Sequence, residues 1–423
     1  MPDVTGEVQF GTRQGTSLVA PAAVEPRAPL TVGVEEEFLL LDPRTGRVVP
    51  VAEEVRRRAG ASMASRIVPE LTRFQLETNS GVHTGLRGLQ HDLFEMRACA
   101  AEAAASAGVR LAACGTALRG NAGMPPVTPH PRYGAMVRDF RGIARGQGVC
   151  GCHVHVGVGD REEAVQVSNH ARPWLPVLQA LAANSPFADG LDTGYASWRA
   201  QVMGRWPSAE PPPYFRSAAH YESVVAGLTA SGAIMDRGMI YWFVRVSDHL
   251  PTVEFRTADC CATVEEAVTL AGLVRALVAT ALRDVRAGIP APSVDHSVLC
   301  GAYWRAARDG VEGEGLDLFS GRRIRAWDLV GRLVAHVRDS LEDAGDLPLV
   351  TARLGRLRRT GSGAARQRAA FAHRARLRDV AALLAEQTVA EPPAAVQAGR
   401  VGEPAPEAVP QAVPVTRRPP AGS

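Results

Sequence analysis

The stretch QGVCGCHVHVGVGD, residues 147–160, decides how this chain is read. Its residues alternate, and successive side chains of an extended strand point to opposite faces. His153 and His155 therefore share one face, and Cys152, Val154 and Val156 take the other. Two imidazoles on one face of an otherwise apolar strand are costly unless a partner satisfies them. The fold must place something opposite them.

Three further segments repeat the design. In GVEEEFLL (33–40), Glu35 and Glu37 share a face with Leu39, while Glu36 lies with Val34 and Phe38. In FQLETNS (74–80), Gln75, Glu77 and Asn79 share a face opposite Phe74 and Leu76. In LPTVEFRTAD (250–259), Thr252, Glu254 and Arg256 oppose Val253 and Phe255. A sheet with one solvated face is the plainest account of any single strand. It fits the set badly, because these faces carry mostly Glu and His, with few cations to neutralise them. Crowded carboxylates repel and raise one another's pKa, which is tolerated when cations lie between them. Hard oxygen donors with an imidazole suit Mg²⁺ or Mn²⁺. Zinc on Cys150, Cys152, His153 and His155 is disfavoured, because alternation turns the cysteines away from the histidines and makes them small core residues. A metal-dependent amidohydrolase also uses an H-x-H strand, but as the first strand of a (β/α)₈ barrel. Here acidic strands precede and follow it.

The bulk numbers agree with an enzyme. A chain of 423 residues, 46% hydrophobic and 22% charged, has an ample core. The net charge of +3 is too small to argue for nucleic acid or an anionic membrane. There is no lysine; all 47 basic residues are arginine, which excludes a lysine-dependent phosphate loop. Seven cysteines, an odd number in a long chain, argue against a disulfide framework. The N-terminus lacks a signal pattern and no uninterrupted apolar run of about 18 residues occurs, so a cytoplasmic protein is expected. Residues 1–28 read as a disordered leader, 29–388 as one folded domain, and 389–423 as a disordered Pro/Ala-rich tail. Helical spacing marks 88–108 and 262–288, the second with Glu at its start and Arg at its end, and 325–388 is mostly helical. Strands and helices do not alternate strictly, so the fold class is α+β.

Seven stretches together resemble a known family: VGVEEEFLLLD (32–42), FQLETNSGVH (74–83), TPHPRYGAM (128–136), GCHVHVGV (151–158), LAANSPF (181–187), DTGYASWRAQVMGRWP (192–207) and YWFVRVSDHLPTVEFRTAD (241–259). In this order they are similar to the carboxylate–amine ligases called glutamate–cysteine ligase type 2. The resemblance implies a glutamine synthetase/guanido kinase-like domain: a curved, mainly antiparallel sheet with helices on its outer face. Its concave face would hold ATP, Mg²⁺ or Mn²⁺, and an acidic substrate such as glutamate, joined to an amine such as cysteine. It assigns Glu35, Glu37, Glu70, Glu77, His153 and Glu254 to metal. It assigns His155, Arg256 and Asn79 to the nucleotide, and Arg245, Arg256 and Arg199 to the transferring phosphate or the substrate carboxylate. A small-molecule kinase or a metal-dependent hydrolase on the same acidic/His site is the alternative. The fold often assembles into homo-oligomers; neither nucleic acid nor membrane is an expected partner. One departure stands out: Ala117 and Leu118 follow the GT of residues 115–116, where many members carry His and Pro-Phe. If that loop touched the amine, the acceptor would differ from cysteine.

Overall fold

The alternating segments form the sheet that their pattern requires. The computed structural model describes residues 29–60, 63 and 65–391; the expected leader and all but the start of the expected tail lie outside the described residues. Strands β1 (Val32–Leu41), β2 (Ile67–Pro69), β3 (Gln75–Asn79), β4 (Arg110–Ala112) and β5 (Gly151–Gly157) come first. The small ribbon β6 (Phe187–Ala188) and β7 (Leu191–Asp192) follows, then β8 (Val244–Val246) and β9 (Thr252–Asp259), then the ribbon β10 (Glu314–Asp317) and β11 (Arg322–Arg325). The main sheet has seven strands in the order β2-β3-β1-β5-β9-β8, with β4 pairing the end of β1, and its pairings are antiparallel. The all-antiparallel pairing with separate helices confirms α+β.

Register brings the polar positions together. Glu35 pairs with Asn79 on one side and His153 on the other; Glu37 stands opposite Glu77. His155 pairs with Glu254, which also pairs with Arg245. Between β5 and β9 the register shifts between Cys152 and Val154, so that Arg256 and Thr257 together face His153. A bulge of this kind re-aims side chains. Strict alternation would put Ala258 beside Arg256, yet it is buried in the core with Cys152.

The helices are α1 (Ala52–Arg58), α2 (Leu86–Ser106), α3 (Pro131–Phe140), α4 (Arg161–Ala171), α5 (Leu175–Leu181), α6 (Trp198–Met203) and α7 (Ala218–Ala230). They continue with α8 (Val264–Arg286), α9 (His296–Asp309), α10 (Ala326–His336), α11 (Arg338–Asp343), α12 (Leu347–Thr360), α13 (Gly363–Arg374) and α14 (Leu377–Thr388). The apolar strand face, with Val34, Cys152, Val154, Val156, Val253 and Phe255, packs in one core with Leu89 and Leu93 of α2 and with most of α8. Helix α8 starts at Thr263, whose side chain accepts the Glu266 N–H, and ends in Arg283 and Arg286, as a helix dipole favours. A second core joins Phe38, Leu76 and Leu111 to α2 and α14. On this apolar face Glu36 is fully buried, and Arg97 of α2 clasps it with Nε–Oε2 at 3.0 Å and Nη2–Oε1 at 2.6 Å. The same guanidinium donates to the carbonyls of Cys261, Ala262 and Thr388, tying the sheet, α2 and α14 together.

Two of the strands are cut short by their neighbours. Strand β3 begins only at Gln75, because the Arg73 N–H and the Leu71 carbonyl bond instead to the 126–128 segment. The segment 109–116 is a strand only over Arg110–Ala112, since the Ala113 N–H goes to the Thr388 hydroxyl and the Gly115 N–H to the Asn184 carbonyl. The expected helices 88–108 and 262–288 appear at Leu86–Ser106 and Val264–Arg286. Among the described residues no helix is long and apolar enough to cross a membrane.

Candidate active site

The polar sheet face opens into a cavity of about 250 Å³. Eight of the eleven predicted residues line it: Glu35, Glu37, Glu70, Glu77, His153, Arg199, Arg245 and Arg256. The other three adjoin it. His155 Nε2 lies 3.2 Å from Glu35 Oε1, Glu254 accepts from Arg245 Nε at 2.7 Å, and Asn79 Nδ2 donates to Glu77 at 3.1 Å. Arg199 and Arg245 are therefore not members of surface ion pairs. Arg199 is buried, its Nη2 donates to the Arg256 carbonyl at 3.3 Å, and its Nε has no hydrogen-bond partner.

Among the described residues, two groups of donor atoms are compact enough for a cation, each with its atoms within 4.8 Å of one another: Glu35, His153 and Glu254, and Glu37, Glu70 and Glu77. Their electrostatics differ. In the first, burial opposes ionisation of Glu35, but His153 and His155 outweigh it and hold the carboxyl well below its usual range. Glu254 is likewise buried, and the charges of Arg256 and Arg245 hold it down. Burial, then the Arg256 charge, lowers His153 to about 4, so its ring is neutral at physiological pH. Its Nδ1 is 3.1 Å from Glu35, and its buried Nε2 has no hydrogen-bond partner. In the second group, burial and then the Glu70 charge raise Glu37 to about 7. Burial raises Glu70, and burial with the charges of Glu35, Glu70 and Glu37 lifts Glu77 well above its usual range. Three half-buried carboxylates that cannot all ionise unaided, and a neutral imidazole with a free ring nitrogen, are the donor chemistry a hard divalent cation requires. The residues fit Mg²⁺ or Mn²⁺.

Gly151 also shapes the site. Its N–H donates to Glu37 Oε2 at 2.6 Å, and a Cβ there would run into the Arg199 guanidinium and stand 3.0 Å from His153 Nε2. Only glycine leaves both side chains in place. Other wall residues carry no strand pattern that would mark them. Arg132 and Tyr133 of α3, Gln147, Met203, Trp206 and Tyr241 line the cavity. Arg132 reaches across to Asp236 with a fork of 2.8 and 2.9 Å. They stand on helices and loops, where alternation says nothing, although all six lie inside the stretches quoted above. Ala117 and Leu118 are buried in the second core and do not line this cavity, so the departure at that loop does not reach it.

The match to known families covers most of the chain: the family described as glutamate–cysteine ligase family 2 spans residues 31–383. The chain belongs to this family. It is thus a ligase of the carboxylate–amine class. A Salinispora arenicola protein provisionally named glutamate–cysteine ligase 2 is 50% identical over 341 residues, 81% of this chain and 90% of that protein. One from Saccharopolyspora erythraea, provisionally named glutamate–cysteine ligase 2-1, is 49% identical over 367 residues, covering 87% and 97%. Among solved structures, the glutamate–cysteine ligase of Francisella tularensis in complex with AMP superposes with a TM-score of 0.60 at 12% identity, over 88% of this chain and 91% of that one. The bifunctional glutathione synthetase of Pasteurella multocida gives 0.63 at 15%, over 86% and 52%. At those identities the likeness speaks for the fold. This family-2 chain has the sheet-and-helix architecture that its sequence implies.

Proposed function

We propose that this family-2 ligase activates the carboxylate of glutamate with ATP and joins it to an amine, with cysteine as the first candidate. The observation that carries the reading is one cavity in which two carboxylate-rich donor groups face Arg199, Arg245 and Arg256. Glu37, Glu70 and Glu77 would hold one Mg²⁺ or Mn²⁺, and Glu35, His153 and Glu254 another. Bound there, the cations neutralise oxygens of the nucleotide phosphates. The names of the relatives support glutamate and cysteine.

The chemistry balances without a protein nucleophile. A carboxylate oxygen of the acid attacks the γ-phosphorus, the bond to the bridging oxygen breaks, and ADP departs. The amine nitrogen then attacks the acyl carbon, an amide forms, and phosphate leaves carrying that carboxylate oxygen; the amine proton goes to solvent or a nearby base. Positioning and charge stabilisation supply most of the rate in such transfers. Arg199, which lines the cavity and whose buried Nε is unpartnered, binds oxygen on the transferring phosphoryl group or the acid. Arg256 acts on phosphate. Arg245, anchored to Glu254 and to the Ile240 carbonyl at 2.8 Å, keeps that carboxylate ionised and in place. His155, held by Thr252 at 3.0 Å, and Asn79 serve the nucleotide side. The wall of Tyr133, Met203, Trp206 and Tyr241 excludes water, which protects the acyl phosphate.

The test is ADP release across a matrix of acids and amines, with Mg²⁺ and with a chelator. The reading expects turnover only with metal, acid and amine together, and full turnover in metal-free buffer refutes it.

A further inference from the structure

A second cavity, of about 290 Å³, lies on the helix side of the sheet and shares no lining residue with the first. It is bounded by the end of α5, the connection from β9 to α8, the first half of α8, α12, and residues of α13 and α14. Its apolar wall is Leu181, Leu270, Leu273, Leu354 and Leu357. Five charged side chains complete the lining: Glu265, Glu266, Arg353, Arg356 and Arg366.

Two of these arginines are matched. Arg356 Nη1 lies 3.2 Å from Glu265 Oε2, and Arg366 Nη2 lies 2.5 Å from Glu266 Oε1. Arg353 is matched only at long range, by a carboxylate that Arg356 already holds. It is only 5% exposed; its Nη2 donates to Gln90, while Nε and Nη1 make no hydrogen bond. The nearest carboxylate oxygen, Glu265 Oε1, is 3.9 Å from Nε and also lacks a hydrogen-bond partner. Three guanidiniums against two carboxylates leave one surplus positive charge. A buried guanidinium with two free donors is expensive unless an anion completes it. The apolar wall, a few converging polar groups and the volume are those of a small-molecule pocket.

We propose that this cavity binds a small monocarboxylate with an apolar body, its carboxylate on Arg353 and its hydrocarbon against the five leucines. A dianion fits less well, because only one positive charge is unmatched and Glu265 Oε1 would repel the second negative one. The site is separate from the ligase chemistry and does not depend on the substrates named above.

The probe is octanoate, titrated calorimetrically into the full-length protein with a non-hydrolysable ATP analogue and Mg²⁺ present to fill the catalytic cavity. One saturable site per chain is expected, with 1-octanol binding at least about tenfold more weakly for want of the charge. Arg353→Met should reduce octanoate to the octanol level, leave octanol unchanged and keep amine-dependent ATP turnover. Arg353→Lys retains the charge and should bind octanoate with intermediate affinity, a comparison that stands even if the Met variant folds poorly. Absence of saturable octanoate binding, equal affinity for octanoate and octanol in the unaltered protein, or octanoate binding that survives Arg353→Met in a folded variant would each overturn the proposal.

Discussion

Replacing Glu37 by Gln should make the metal-free protein more stable in alkali and at the same time inactivate it. The carboxyl is enclosed, faces Glu77 across the strand pair, and is raised to about 7 by burial and then by Glu70. The sign is fixed by proton uptake. Between its ordinary 4.5 and about 7, folded Glu37 holds a proton that the unfolded chain has lost, so its contribution is complete in acid and is lost as pH rises through about 7. The rise from 4.5 to about 7 corresponds to about 3 kcal/mol. Glutamine is neutral throughout and keeps an acceptor for the Gly151 N–H. Near acid pH the two proteins should therefore differ little, and about pH 8 the variant should be favoured by about 3 kcal/mol relative to that baseline. Urea unfolding at the two pH values, with a chelator, reads the difference. Saturating Mg²⁺ should then reverse the order, because the cation restores the native carboxylate group and has lost a ligand in the variant. A pH-independent difference, or a variant that still turns over ATP, would refute the argument that these carboxylates are strained to hold a cation.

Other consequences are equally direct. Arg97→Met leaves Glu36 as an unpaired buried charge and should cost about 3–5 kcal/mol in urea unfolding; adding Glu36→Leu should recover part of that, and simple additivity would contradict the pairing. His153→Ala should lower metal-dependent turnover by about tenfold or more, whereas Cys152→Ala, on the core face, should mainly cost stability, about 1 kcal/mol; the reverse pattern would mean inverted faces. Gly151→Ala should displace the Arg199 guanidinium and lower turnover about tenfold or more with little loss of melting temperature, since the obstructed atoms belong to a side-chain end.

Parity explains how far the sequence reaches. Period-two alternation by itself puts Glu35, Glu37, Glu77, His153, Glu254 and Arg256 on one face, because a strand fixes side-chain direction by odd and even position. It also separates Cys152 from His153. Parity fails where the register shifts, so alternation cannot show the bulge that moves Ala258 into the core. It is silent on loops and helices: Arg132, Gln147 and Trp206 reach the cavity through tertiary packing alone. The Glu36–Arg97 clasp is hidden for a different reason. Alternation sets Glu36 on the apolar face, but its partner lies 61 residues along, in a helix whose composition gives no sign of it. The surplus charge at Arg353 depends on which neighbours Arg356 and Arg366 find, which only the folded chain decides.

The central claim is that the acid is activated as an acyl phosphate, and an isotope transfer tests it most directly. Glutamate labelled with oxygen-18 in its carboxylates, or whichever acid the substrate matrix selects, is turned over with Mg-ATP and the amine, and the released phosphate is weighed by mass spectrometry. The account predicts that each phosphate carries one labelled oxygen and that amide, ADP and phosphate appear in equal amounts. Unlabelled phosphate without amide would mean hydrolysis, and a stable phosphorylated product would mean a kinase; either result contradicts it.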